Sequence, residues 1–127
     1  RGYLCGALTD VSTLDAKDIR RAMPRFAPEA YAANLKLLEG YLAIAQEVGC
    51  TPAQLALAWL LHQGEHIIPI PGTTSVEHLH DDLDAVNVRL SAATIERLNG
   101  LINERTVVGN RYNAQNASEV DTETFEA

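Results

Sequence analysis

The stretch Ile70-Pro71-Gly72-Thr73-Thr74-Ser75 gathers the groups that can hold a phosphate. A glycine lets the backbone come close, two threonines offer hydroxyls, and Ser75 stands where a helix begins. Free N–H groups and the positive end of a helix converge at such a turn, which suits an anion. The plainer reading is a tight connecting turn with an ordinary serine cap, and spacing alone leaves both open. About one helical turn further on come His78, Asp81 and Asp82. Two carboxylates at i+3 and i+4 from the histidine can accept from an amine or a ribose hydroxyl; they equally suit a solvated helix face.

Other chemistries find less support. His62, His66, His78 and His80 share no helix face, because Gly64 interrupts the first pair and the second pair is two residues apart. No Cys–His spacing matches a zinc site, so no metal ligand is assigned. Ser12, Ser75, Ser91 and Ser118 lie in no Gly-x-Ser-x-Gly elbow. There is no P-loop and no GxGxxG. Cys5 and Cys50 are too few for a disulfide scaffold and read as free thiols.

The elements that must position these residues follow from pattern. Residues 1–13 read as loop. Asp15 can cap a short helix carrying Ile19, Ala22 and Met23, which Pro24 stops. From about Ala30 to Val48, Leu35, Leu38, Tyr41, Leu42, Ala45 and Val48 fall at helical spacing, and Gly49 ends the run. Thr51-Pro52-Ala53-Gln54 carries a capping box with proline in the first turn. The helix it opens, to about His62, is apolar all round and predicts packing on nearly every side. His66-Ile67-Ile68-Pro69-Ile70 is the one strand candidate, apolar on both faces like a strand of a parallel sheet. The chain offers it no second strand, and Pro69 removes a ladder donor. Ser75 caps a helix with Val76, Leu79 and Leu83 on one face; Ser91 caps another with Ile95, Leu98 and Ile102. Residues 113–127 carry Glu119, Asp121, Glu123 and Glu126 with no Lys or Arg beyond Arg111, and read as an acidic tail.

The 127 residues suffice for one domain, and a 46% hydrophobic, 21% charged composition can build a core. A net charge of −7 argues against a nucleic-acid or anionic-membrane surface. No apolar run reaches the roughly 18 residues of a spanning helix, and no signal peptide is visible. These features and the free thiols point to the cytoplasm. One strand among helices is not a self-sufficient layered architecture. With the apolar, non-methionine start at Arg1, it predicts a piece of a longer chain.

Several stretches together resemble the C-terminal part of an aldo-keto reductase. They are Arg1-Gly2-Tyr3-Leu4 with Gly6, Asp18-Ile19-Arg20-Arg21 with Pro24-Arg25-Phe26, Asn34, and Thr51-Pro52-Ala53-Gln54-Leu55-Ala56-Leu57-Ala58-Trp59-Leu60. Ile68-Pro69-Ile70-Pro71-Gly72-Thr73-Thr74, Leu79 with Asp81-Asp82, and Gly109 with Arg111-Tyr112 follow in order. The resemblance implies an α/β fold in which residues 1–112 are the C-terminal portion of a (β/α)8 TIM barrel, mostly helical with residues 66–70 as its eighth strand. It implies an enzyme that uses NADP(H) to reduce small aldehydes or ketones. Gly72, Thr73 and Thr74 then hold the adenosine 2′-phosphate and ribose. His78 lies near that phosphate, Asp81 and Asp82 meet the adenine, and Arg1 and Gly2 pass over the pyrophosphate, with Arg20 or Arg25 within reach of the phosphates.

Two positions depart from the family pattern. Thr74 stands where Arg or Lys is frequent, and Asp82 stands where Asn is usual; both weaken discrimination for NADP(H). The family's catalytic Asp, Tyr, Lys and His belong to the first half of the barrel. None of Tyr3, Tyr31, Tyr41 and Tyr112 sits in a matching context, so no catalytic residue is assigned and the chain alone is expected to be inactive. The competing expectation is a helical packing or interaction module without cofactor binding. In either case, uncovered strand edges and helix faces predict self-association.

Overall fold

In a computed structural model, which describes residues 1–120, the chain is an array of helices preceded by an ordered loop region. Three short 3₁₀ turns come first, at Val11–Thr13, Ile19–Ala22 and Pro24–Phe26. Then follow α1 (Pro28–Val48), α2 (Pro52–Leu61), α3 (Val76–Asp84), a 3₁₀ turn at Ala85–Asn87, α4 (Ala92–Leu101) and α5 (Ala114–Ser118). None of the described helices is long and apolar enough to cross a membrane. The acidic residues Asp121, Glu123 and Glu126 of the expected tail lie outside the described residues; within 113–120, α5 is capped by Asn113.

Local chemistry sets the helix boundaries. Gly49 adopts φ +78°, the left-handed conformation that closes α1, and its N–H donates to the carbonyls of Ala45 and Gln46. Thr51 Oγ1 accepts from Gln54 N at 3.1 Å and Gln54 Oε1 accepts from Thr51 N at 3.0 Å, a complete capping box. Ser75 and Ser91 cap α3 and α4 in the expected way. The helix expected from Asp15 is shorter and tighter: Asp18 supplies the cap by accepting from Arg20 N at 2.9 Å, and Met23 leads straight into Pro24.

The core lies where α1, α2 and α4 meet. Leu38, Tyr41, Ile44, Ala45, Leu55 and Leu98 are buried there, Leu55 completely. Leu55→Ala at such a site costs about 2–5 kcal/mol. A second cluster, Met23, Phe26 and Tyr31, packs the loop region onto the start of α1; Phe26 and Tyr31 stack with centroids 5.4 Å apart. The buried stripe of α1 runs Tyr31, Asn34, Leu38, Tyr41, Ala45, with Leu42 turned outward.

Two expectations need correction. His66–Ile70 forms no strand, and none forms among the described residues. Ladder hydrogen bonds need a neighbouring strand, and this segment has none, so Ile68 and Ile70 stand 81% and 92% exposed. Nor is α2 packed on every side: Leu55 and Ala58 are buried, whereas Leu60 and Leu61 are exposed. The apolar stripe of α3 has the expected period, yet Val76, Leu79 and Leu83 face solvent.

Candidate functional site

The turn Gly72–Ser75 enters α3 as an exposed loop whose hydrogen bonds are mostly its own. Thr73 Oγ1 accepts from Ser75 N at 3.0 Å, and Ser75 Oγ accepts from His78 N at 3.3 Å. Leu79 N is the first amide of the helix to reach a backbone carbonyl, that of Ser75 at 3.0 Å. The Val76 and Glu77 amides are therefore left to an external acceptor at the positive end of the helix. Thr74 adds an exposed hydroxyl. No Lys or Arg lies between Pro71 and Asp84, while Glu77, Asp81, Asp82 and Asp84 do. A phosphate here would meet amides, hydroxyls and His78, without a fixed cation.

Asp81 is held rather than free. Its Oδ2 accepts from Thr51 Oγ1 at 2.9 Å, and its carbonyl accepts from Gln54 Nε2 at 3.2 Å. The capping box of α2 thus also fastens α3, and it fixes one carboxylate oxygen of Asp81. Asp82 is half-buried beside it. The turn, His78, Asp81 and Asp82 form one group on and before α3. Sequence reading missed the Thr51–Asp81 link, although the capping box that supplies it was legible.

Arg1 and Gly2 belong to a second group, at the N-terminal loop. Gly2 adopts φ +79°. The Arg1 carbonyl accepts from Arg20 Nη1 at 3.3 Å. Among the described residues no hydrogen bond or ion pair joins this group to the α3 turn. Arg20 grips Asp18 through Nε and Nη2, the latter 2.7 Å from Oδ2. That contact, with the Arg20 amide bond, holds the Asp18 carboxyl down from 3.8 to about 2. Arg25 donates from Nε to the Gly109 carbonyl at 3.0 Å; burial, and then the nearby Arg111 charge, lower its pKa.

The other candidate groups are structural. His62 sits with Nδ1 2.8 Å from the Ala58 carbonyl, while its Nε2 accepts from Leu90 N at 3.4 Å. Cys50 is half-buried, and burial and the neighbouring Asp81 push its thiol pKa up, away from nucleophilic character. The Tyr41 hydroxyl donates to the Pro52 carbonyl at 2.7 Å and burial raises its pKa. A tyrosine so occupied is no proton donor to a ligand.

Comparison with known proteins adds what the residues alone cannot. The model of the aldo/keto reductase family matches residues 4–103. An aldo-keto reductase of Schizosaccharomyces pombe (strain 972 / ATCC 24843), yakc [NADP(+)], is 40% identical over 112 residues. Those residues are 88% of this chain and 33% of the relative, so the chain spans about a third of its length.

Proposed function

The chain belongs to the aldo/keto reductase family, and from that premise we propose that it forms the C-terminal, adenosine-binding portion of a (β/α)8 barrel that reduces aldehydes or ketones with NADP(H). The observation that carries this reading is the Gly72–Ser75 turn. It presents hydroxyls and unpaired amides at the start of a capped helix, with Asp81 braced one turn behind it by Thr51 and Gln54. The donor set fits a ribose and its phosphate.

In this reading Gly72, Thr73 and Thr74 hold the 2′-phosphate and ribose, and His78 lies beside that phosphate. The outward oxygens of Asp81 and Asp82 accept from the adenine amine. Arg1 and Gly2 line the pyrophosphate, with Gly2 in the left-handed conformation that keeps a side chain out of the way. The bound cofactor supplies a hydride to a carbonyl carbon. Residues of this chain bind and orient; the proton donor is not among them, because its tyrosines are occupied or lie outside a matching context. We assign the protein to the cytoplasm and the carbonyl substrate to the whole barrel. Residues 1–112 are the barrel portion, followed by the acidic tail at 113–127.

A second reading is favoured by one feature of the surface. Ile68, Ile70, Val76, Leu79, Leu83 and Val86 are all exposed along one stretch of the chain. An apolar surface of that extent drives association, and the chain alone would self-associate through it whether or not it binds a nucleotide. Titration with NADPH and NADH separates the two readings. Saturable binding supports the adenosine site, and a preference for NADPH supports its 2′-phosphate contacts, whereas no saturable binding of either nucleotide supports a packing module. Carbonyl reduction by the purified 127-residue chain would overturn its assignment as a binding portion.

A further inference from the structure

Asn34 is the one polar residue of the buried stripe on α1, 4% exposed. A leucine there would continue the apolar run of Tyr31, Leu38 and Tyr41. A buried amide is costly unless both its ends are bonded. Both are: Nδ2 donates to the Val108 carbonyl at 3.0 Å, and Oδ1 accepts from Val108 N at 2.8 Å. The side-chain amide thus pairs with both backbone groups of one residue, Val108, as a neighbouring antiparallel strand would. Gly109 follows at φ +91°, where a Cβ would lie 3.0 Å from the Pro24 carbonyl oxygen and 3.1 Å from Arg25 backbone atoms. Arg25 Nε then takes the Gly109 carbonyl. Val107–Tyr112 is in this way a strap fastened at two successive residues, and it delivers Arg111 over the Tyr112 ring, 5.2 Å from its centroid.

The same residue also receives the other end of the chain. The Tyr3 hydroxyl donates to the Asn34 carbonyl, and the Tyr3 ring meets Tyr31 edge-on at 6.0 Å. Gly6 N in turn donates to the Tyr3 carbonyl at 3.0 Å. Loop and strap, separated by more than a hundred residues of chain, converge on one helical position.

We propose that Asn34 is a positioning residue that couples the N-terminal loop, Arg1–Gly6, to the C-terminal strap, Val107–Tyr112. Loosening either partner loosens the other, because α1 at Asn34 is held from both sides. Amide hydrogen exchange tests this at two reporters, Gly6 N–H for the loop and Val108 N–H for the strap. Tyr3→Phe removes only the loop-side bond, and coupling requires that exchange at Val108 accelerate about threefold or more. Asn34→Ala removes only the strap-side bonds, and exchange at Gly6 must accelerate comparably. Acceleration confined to the mutated side in both variants overturns the coupling. Tyr3→Phe keeps the buried core intact, so the test survives if Asn34→Ala does not fold. A ligand arm rests on the reading of Arg1 and Gly2 as a cofactor loop. NADPH should slow exchange at Val108 in the wild type and not in Asn34→Ala. If NADPH protects neither reporter, the cofactor reading of the loop fails while the cross-effects still decide the coupling.

Discussion

Thr51 carries more of the architecture around the candidate site than any other exposed residue. Its Oγ1 accepts from Gln54 N at 3.1 Å and donates to Asp81 Oδ2 at 2.9 Å, so Thr51→Ala removes a helix cap and the link to α3 together. Loss of the cap costs about 1 kcal/mol. The link is a solvent-exposed hydrogen bond and adds about 0.5 kcal/mol. The expected loss is about 1.5 kcal/mol, which for a chain of 127 residues lowers Tm by roughly 5–9 °C. Asp81→Ala removes only the link and should lower Tm by roughly 2–3 °C. Thr51→Ser keeps both bonds and should stay within about 2 °C of the wild type. Thermal unfolding followed by circular dichroism reads all three. A Thr51→Ala variant as stable as the wild type, or a Thr51→Ser variant as unstable as Thr51→Ala, would show that the Thr51 hydroxyl neither caps α2 nor braces α3.

Gly109→Ala places a Cβ against the Pro24 and Arg25 backbone at positive φ and should cost about 2 kcal/mol in urea unfolding, whereas Gly49→Ala, with nothing within 4 Å, should cost about 1 kcal/mol; equal costs would show that the close approach is immaterial. Asp18 has its folded pKa lowered from 3.8 to about 2, so its contribution to stability is present above 3.8 and lost as pH falls through about 2. Asp18→Asn should flatten the fall in stability across that window, and an unchanged pH profile would contradict the assignment. Leu79→Glu with Leu83→Glu should shift the chain toward monomer in light scattering, since both residues lie on the exposed apolar face; association unaffected by the pair would place the contact elsewhere.

What the sequence disclosed and what it hid divide by range. Thr51, Ser75, Ser91 and Gly49 were legible as helix boundaries because a cap is settled within four residues. The stripe of α1 was legible for the same reason, although its start at Tyr31 and Asn34 was not. His66–Ile70 misled because its composition suits a strand while pairing is a non-local property that composition does not reveal. The all-apolar pattern of α2 overstates its burial, because Leu60 and Leu61 need neighbours that the described residues do not provide. Asp18 rather than Asp15 caps the Ile19–Ala22 turn, because two aspartates within four residues compete for one turn. The Thr51–Asp81 link and the Asn34–Val108 clamp span 30 and 74 residues, and no spacing rule anticipates them. The candidate phosphate turn was visible from Gly72-Thr73-Thr74-Ser75 alone, while the fastening of Asp81 behind it was not.

In the proposed function the α3 turn holds the adenosine end of NADP(H). Its most direct test is amide shift mapping of the chain with adenosine 2′,5′-bisphosphate, and with adenosine 5′-monophosphate as the control lacking the 2′-phosphate. Saturable shifts are expected at Gly72, Thr73, Thr74, His78, Asp81 and Asp82, larger and at lower concentration for the bisphosphate. Shifts centred on other residues, or none at these six, would contradict it.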